Sequence, residues 1–248
     1  MERGKLVAYL DELLCVKNFR DYCPNGLQVE GRGTIERVVM GVSACQALLD
    51  AAMTHAADAI LVHHGWFWRG EETRVTGTRK KRLHSLLKHD INLLAYHLPL
   101  DSHPQFGNNA QLAERFAWTA EGRFAEQELG WFGRTSGLST LEQVSAMIGQ
   151  SLQRAPLVIG EAKRPIQRVA WCSGGAQQYF EQAIACGVDA YLSGEISEQT
   201  VHLARESGVA YIAAGHHATE RYGVQALAAH LTQQFGLNCI YVDIDNPV

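Results

Sequence analysis

The chain has 248 residues, 46% of them apolar and 19% charged, with 23 Gly and 6 Pro, which is the composition of a globular protein with a sizeable core. Its 22 basic and 26 acidic residues give a net charge of −4, and no basic run exceeds Arg79-Lys80-Lys81-Arg82, so charge does not argue for a nucleic-acid binder. Six scattered cysteines form no C-x-x-C pair, Glu2, Asp11 and Glu12 interrupt the N-terminal apolar residues, and no stretch suits a membrane span, so a cytoplasmic protein is expected.

In chain order, Lys5 to Val16 has helical apolar spacing and hands over to a polar loop, Asn18 to Thr34, with a Pro24-Asn25-Gly26 turn signal. Three apolar runs without alternation follow, Arg37 to Val42, Ala59 to Val62 and Ile91 to Tyr96, and read as buried parallel strands. Gln46 to His55 and Lys80 to His89 supply the crossover helices between them. Ala117 to Pro165 is punctuated by glycines and carries one helix-like stretch, Leu141 to Leu152. Strands then return at Arg168 to Trp171, Ala190 to Leu192 and Val209 to Ala214, with helices at Gln177 to Cys186 and Glu198 to Glu206. A helix from Val224 to Phe235 and a strand from Cys239 to Ile244 close the chain.

The return is a repeat. Ile35 to His64 aligns without gaps onto Ile166 to Glu195 at an offset of 131, with eight of 30 pairs identical, among them Arg37/Arg168 and Asp58/Asp189. At an offset of 119, His97 followed by Asp101 lies on His216 followed by Glu220. The expected fold is α/β, two related αβ lobes with mainly parallel sheets and the site at the strand carboxyl ends between them. The expected boundaries are 1–116, a connecting region 117–165, and 166–248.

Of 11 histidines, five fall at predicted strand ends: His63, His64, His97, His216 and His217. Ligands bind at the carboxyl ends of such strands, and imidazoles with carboxylates and without thiols suit zinc, iron, manganese or nickel. The set is too rich for one ion. His216 and Glu220 converge on one face if Ala218 opens a helix, whereas His63 and His64 serve neighbouring ions only if the backbone bends at the strand exit. His55, His84, His89, His202 and His230 lie on predicted helices and read as structural or surface residues, while His103 is open to a supporting role near Asp101.

Pro24-Asn25-Gly26-Leu27-Gln28-Val29, Val62-His63-His64-Gly65, His97-x-Pro99-x-Asp101 and Gly215-His216-His217-x-Thr219-Glu220 together resemble the Nif-three-like dinuclear-metal-centre family, whose members are also labelled GTP cyclohydrolase type 2 homologues. The resemblance is to the short bacterial members without an inserted domain, and it covers nearly the whole chain. It implies two divalent metal ions held by His63, His64, Asp101, His216 and Glu220, with Glu220 as bridge, and a ring-shaped homohexamer. Tyr222-Gly223 departs from the paired glycines of close relatives, outside the ligands.

The leading expectation is a dinuclear-metal-dependent hydrolase acting on a nucleotide or damaged nucleobase. His97 would move the proton, with a ligand role as its alternative, and Glu195 is a further acid or base at the place where the repeat puts His64. Trp66-Phe67-Trp68-Arg69 reads either as a stacking wall with a phosphate contact or as packing. A di-iron oxidoreductase and a non-catalytic metal-binding scaffold for partner proteins are the rivals.

Overall fold

A strand covered on both faces must be apolar at successive positions. In the computed structural model, which describes residues 1–248, the runs singled out above are such strands. The first part of the chain contains α1 (Arg3–Leu13), β1 (Gly26–Val29), β2 (Arg37–Ser43), α2 (Gln46–Thr54), β3 (Ala59–His64), α3 (Gly77–His89), β4 (Asn92–Ala95) and α4 (Leu98–Ser102). There follow α5 (Asn108–Arg115), β5 (Thr119–Phe124), β6 (Gly130–Thr140), α6 (Leu141–Leu152), β7 (Leu157–Ile159), β8 (Pro165–Trp171), α7 (Phe180–Ala185), β9 (Ala190–Ser193), α8 (Glu198–Ser207) and β10 (Ala210–Ala213). Helix α9 (His216–Phe235) and β11 (Asn238–Tyr241) complete the order.

Two compact units result. The first comprises Met1–Phe106 and Gly223–Asp245, the second Gly107–Tyr222 and Asn246–Val248. These boundaries differ from the expected ones at 116 and 165, and two pairings account for the difference. Strands β5 and β6 pair antiparallel with each other and β6 continues antiparallel onto β8, so the glycine-punctuated stretch is sheet rather than connector. Strand β11 pairs parallel with β2, returning the end of the chain to the first unit.

The first unit holds a five-stranded sheet of order β1-β4-β3-β2-β11. It is parallel apart from β1, which pairs antiparallel with β4. Strand β1 lies in the stretch expected to be loop, because the Pro24-Asn25-Gly26 turn ends directly in it. Gly26 takes φ +96°, and a Cβ there would come within 3.2 Å of the Asp11 carboxylate. The two-residue side-chain period splits β3 between two cores: Ala59 and Leu61 pack with Leu6, Leu94 and Leu227, while Ile60 and Val62 pack with Leu48, Leu93 and Trp66.

The second unit holds a six-stranded sheet of order β5-β6-β8-β9-β10-β7, parallel at its centre from β8 through β9 to β10. Its core gathers Ile148, Leu152, Trp171, Leu192 and Ile212. Helix α6 starts on a capping box, in which the Thr140 hydroxyl accepts from the Gln143 amide and the Gln143 side chain accepts from the Thr140 amide.

The repeat is visible bond by bond. In the first unit, one oxygen of Asp58 accepts from the amides of Glu36 and Arg37, both at 2.9 Å, and Arg37 reaches the His55 carbonyl. In the second, one oxygen of Asp189 accepts from the amides of Gln167 and Arg168, both at 2.9 Å, and Arg168 reaches the Cys186 and Gly187 carbonyls. Each aspartate thus ties the start of one strand to the start of the next, at positions 131 residues apart.

Candidate metal-binding residues

Strand β3 runs two residues further than its apolar core requires, so His63 and His64 are its last residues. They alternate in environment, His63 fully buried and His64 partly exposed, yet their ring centroids are only 4.6 Å apart. His63 Nδ1 donates to the Tyr96 carbonyl at 3.0 Å, which leaves Nε2 facing the Asp101 carboxylate at 3.5 Å. His64 Nδ1 is hydrogen-bonded to the Ser43 hydroxyl at 3.1 Å, on the neighbouring strand β2.

His97 stands at the exit of β4, immediately before α4, and Asp101 lies on that short helix, 7% exposed. One nitrogen of each of His63, His64 and His97 lies within 4.8 Å of the others. The Nδ1 atoms are engaged by Tyr96, Ser43 and Asp21, so Nε2 is the nitrogen that each ring can offer. This donor set fits a transition-metal ion: a neutral imidazole whose Nδ1 donates presents a lone pair at Nε2, and a buried carboxylate opposite it needs a proton or a cation between them.

The Pro24-Asn25-Gly26-Leu27-Gln28 motif braces this face. The Asn25 side chain accepts from the His97 amide at 2.7 Å, and the Gln28 side chain accepts from the Trp66 amide at 2.6 Å and donates to the carbonyls of Pro24 and Trp66. Trp66 is itself core: it is buried and its indole donates to the Ala44 carbonyl. Arg69 donates to the Asp21 carbonyl, and Trp68 packs edge-on against His97 with centroids 4.9 Å apart. Within this stretch Trp66 is core and Trp68 packs on His64 and His97, while Phe67 is exposed beneath the Arg79 guanidinium.

In the second unit, α9 opens at His216 itself, ahead of both the expected start at Val224 and the Ala218 that convergence would require, which places His216 and Glu220 one helical turn apart. His216 Nδ1 donates to Glu195 Oε1 at 2.7 Å, and its Nε2 lies 3.2 Å from Glu220 Oε2. Burial works against the charge on this ring, but Glu220 and Glu195 outweigh it and raise its pKa to about 9. Glu195, expected as an acid or base, is thus a direct partner of His216, with Gln177 donating to its other oxygen.

Glu220 is almost wholly buried and rests against a tight bend at Gly174. Gly174 has φ +66°, and a Cβ on it would fall 2.1 Å from Glu220 Oε1. The Gly174 amide donates to the Thr219 hydroxyl and its carbonyl accepts from the Gly194 amide and the Ser193 hydroxyl, which pins the bend beside the helix start. Thr219 stands in the Gly215 to Glu220 motif, whereas Asp21, Ser43, Tyr96 and Gly174 belong to none of the sequence motifs. The repeat carries a hint of two of them, since it sets Gly174 on Ser43 as it sets Glu195 on His64.

The family model of Duf34/NIF3 (NGG1p interacting factor 3) matches residues 1–247. The chain belongs to the Duf34/NIF3 family. Within reach of this family member is a protein of Neisseria meningitidis serogroup A named GTP cyclohydrolase 1 type 2 homolog, 53% identical over 245 residues, with 99% of this chain and 98% of that one covered. A protein of the same name from Escherichia coli strain K12 is 46% identical over 248 residues and covers both chains completely. Among solved structures, protein ybgI, described as of unknown function, matches over the full length of both chains with a TM-score of 0.96 and 45% identity. No helix of this Duf34/NIF3 protein is long and apolar enough to cross a membrane.

Proposed function

We propose that this Duf34/NIF3 member is a metal-dependent hydrolase in which His63, His64, Asp101, His216 and Glu220 hold two divalent ions, with Glu220 as the bridging ligand. The observation that carries the reading is the set of imidazoles at parallel strand exits, each with Nδ1 already engaged by a neighbouring group. His63 facing Asp101 in one unit and His216 facing Glu220 in the other supply both ligand types that such a centre needs.

When bound, the ions supply Lewis acidity and a water of lowered pKa. The chain's own contribution is to hold the ligands and to carry the proton. His97 would carry the proton, a role supported by the proximity of one of its nitrogens, within 4.8 Å, to those of His63 and His64. Glu195 orients His216 through Nδ1. The names of the relatives favour a nucleotide or nucleobase as substrate. The ring-shaped homohexamer implied by the family resemblance is proposed with it.

Elemental analysis of the purified protein under metal-replete conditions tests the centre: close to two transition-metal ions per chain supports it, and none after reconstitution sinks it. His97→Ala should keep the metal and lose turnover on a panel of nucleotides and damaged nucleosides. Loss of metal in that variant would make His97 a ligand. Oxygen-dependent turnover with iron alone would favour a di-iron oxidoreductase, and a metal-loaded protein inert to the panel would favour a scaffold. Light scattering at the mass of six chains supports the ring.

A further inference from the structure

We infer that Asp21 is a positioning residue for His97, holding the imidazole in the Nδ1–H tautomer so that Nε2 is the nitrogen offered to the face shared with His63 and His64. The Asp21 side chain is 3% exposed, and its two oxygens accept four hydrogen bonds. Oδ1 accepts from His97 Nδ1 at 2.7 Å and from the Tyr22 amide at 2.6 Å. Oδ2 accepts from the Asn25 side chain at 2.8 Å and from the Leu98 amide at 3.0 Å.

A carboxylate so filled has no acceptor site left for a cation, although Asp21, Cys23 and His97 lie close enough together to be mistaken for a metal-binding trio. Its role is exerted through His97. The backbone of the ring is fixed as well, since the His97 amide donates to Asn25, and Trp68 packs on the ring edge. An imidazole held by its amide, its Nδ1 and its edge has one nitrogen and one orientation left to use.

The other unit repeats the device with different parts. There Glu195 accepts from His216 Nδ1 at the same 2.7 Å, from the end of β9, whereas Asp21 comes from the segment between α1 and β1. A carboxylate on Nδ1 has thus been built twice, on two unrelated segments, for histidines at equivalent strand exits. Duplication of a scaffold copies equivalent positions and does not explain this. A shared demand on the ring does.

The catalytic meaning of this pair rests on the reading of His97 as proton carrier, but the tautomer does not. Two-bond proton–nitrogen correlation spectra of the full-length protein labelled with 15N-histidine, metal-free and zinc-reconstituted, measure it directly. In its neutral form, His97 should show a protonated Nδ1 and an unprotonated Nε2 in the wild type. Asp21→Ala should move the population toward the Nε2–H form, and Asp21→Glu should restore it. If Asp21→Ala fails to fold, isosteric Asp21→Asn carries the same expectation. A wild-type Nε2–H tautomer, or one unchanged in the variants, overturns the inference. Failure of every hydrolase assay with the Nδ1–H tautomer intact would instead remove the proton-carrier reading and leave Asp21 in place.

Discussion

The two units begin their βαβ segments identically and end them differently. Asp58 and Asp189 accept from the equivalent pair of strand-start amides at the same 2.9 Å, and Arg37 and Arg168 both reach forward to carbonyls just past the end of the helix that follows their strand. At the carboxyl ends of the same strands, however, Ser43 and His64 face each other in one unit, whereas Gly174 and Glu195 occupy those places in the other. The strand starts need only to close the backbone, a demand that has not changed since the duplication. The strand ends carry the candidate ligand residues, and there the two copies have parted.

The largest effect should come from making the ends alike. Gly174→Ala forces a side chain into φ +66° and against Glu220 Oε1. We expect a loss of about 3 kcal/mol or more in chemical denaturation, together with a fall in bound metal. An unchanged midpoint would mean that the bend relaxes and that Glu220 is not held by it.

Removing the shared start should cost somewhat less, by similar amounts in the two units apart from a small excess at Asp58, whose other oxygen also accepts from Arg32 at 2.9 Å. Asp58→Ala and Asp189→Ala each strip the acceptor from two backbone amides, which is worth about 2–3 kcal/mol. Separate denaturation curves for the two variants check the equivalence. An inequality larger than the roughly 1 kcal/mol that the Arg32 pair can add to Asp58 would show that the two clamps carry different loads despite the same amide geometry.

Asp21 has no equivalent in the repeat, and pH isolates it. Burial alone would raise its pKa, but the His97 hydrogen bond and charge, aided by Asn25 and the Tyr22 amide, bring it from 3.8 down to about 2. A folded-state pKa below the unfolded one adds stability that is complete above the unfolded value and fades as pH falls from about 4 through about 2. The contribution is about 2 kcal/mol. Asp21→Asn should flatten the stability profile across that window, and a wild-type profile already flat there would contradict the assignment.

The smallest effect belongs to Ser43→Ala, which removes one partly buried hydrogen bond to His64 and should cost about 1 kcal/mol. Its value lies in contrast with Gly174→Ala at the equivalent place. A neutral Ser43→Ala with altered metal affinity would confine the serine to the site.

Much of the scaffold was legible because its signals are local. Continuous apolar runs marked β2, β3, β8 and β9 to within a few residues, and α6 spans the predicted Leu141 to Leu152 without change. Strand β1 was missed because four residues after a turn carry no period of their own and are recruited by β4. The start of α9 was missed because Val224 opens its clear apolar stretch, while His216 to Gly223 is polar enough to read as loop. The connecting region misled for a similar reason: the glycines of β5 and β6 suggest a linker, yet Gly122, Gly130 and Gly133 sit where neighbouring side chains or backbone leave no room for a Cβ.

By itself, then, the sequence determined which residues are chemically eligible. Imidazoles and carboxylates stand at the ends of apolar runs, and a repeated half marks where those ends fall, because both follow from side-chain type and short-range period. Tertiary structure decided how each eligible ring is held. The partners of Nδ1 are Tyr96, Ser43, Asp21 and Glu195, lying 33, 21, 76 and 21 residues away from their histidines. A hydrogen bond is set by distance and angle in space, and no pattern read along the chain encodes which of its many carboxylates, hydroxyls and carbonyls will arrive at a given nitrogen.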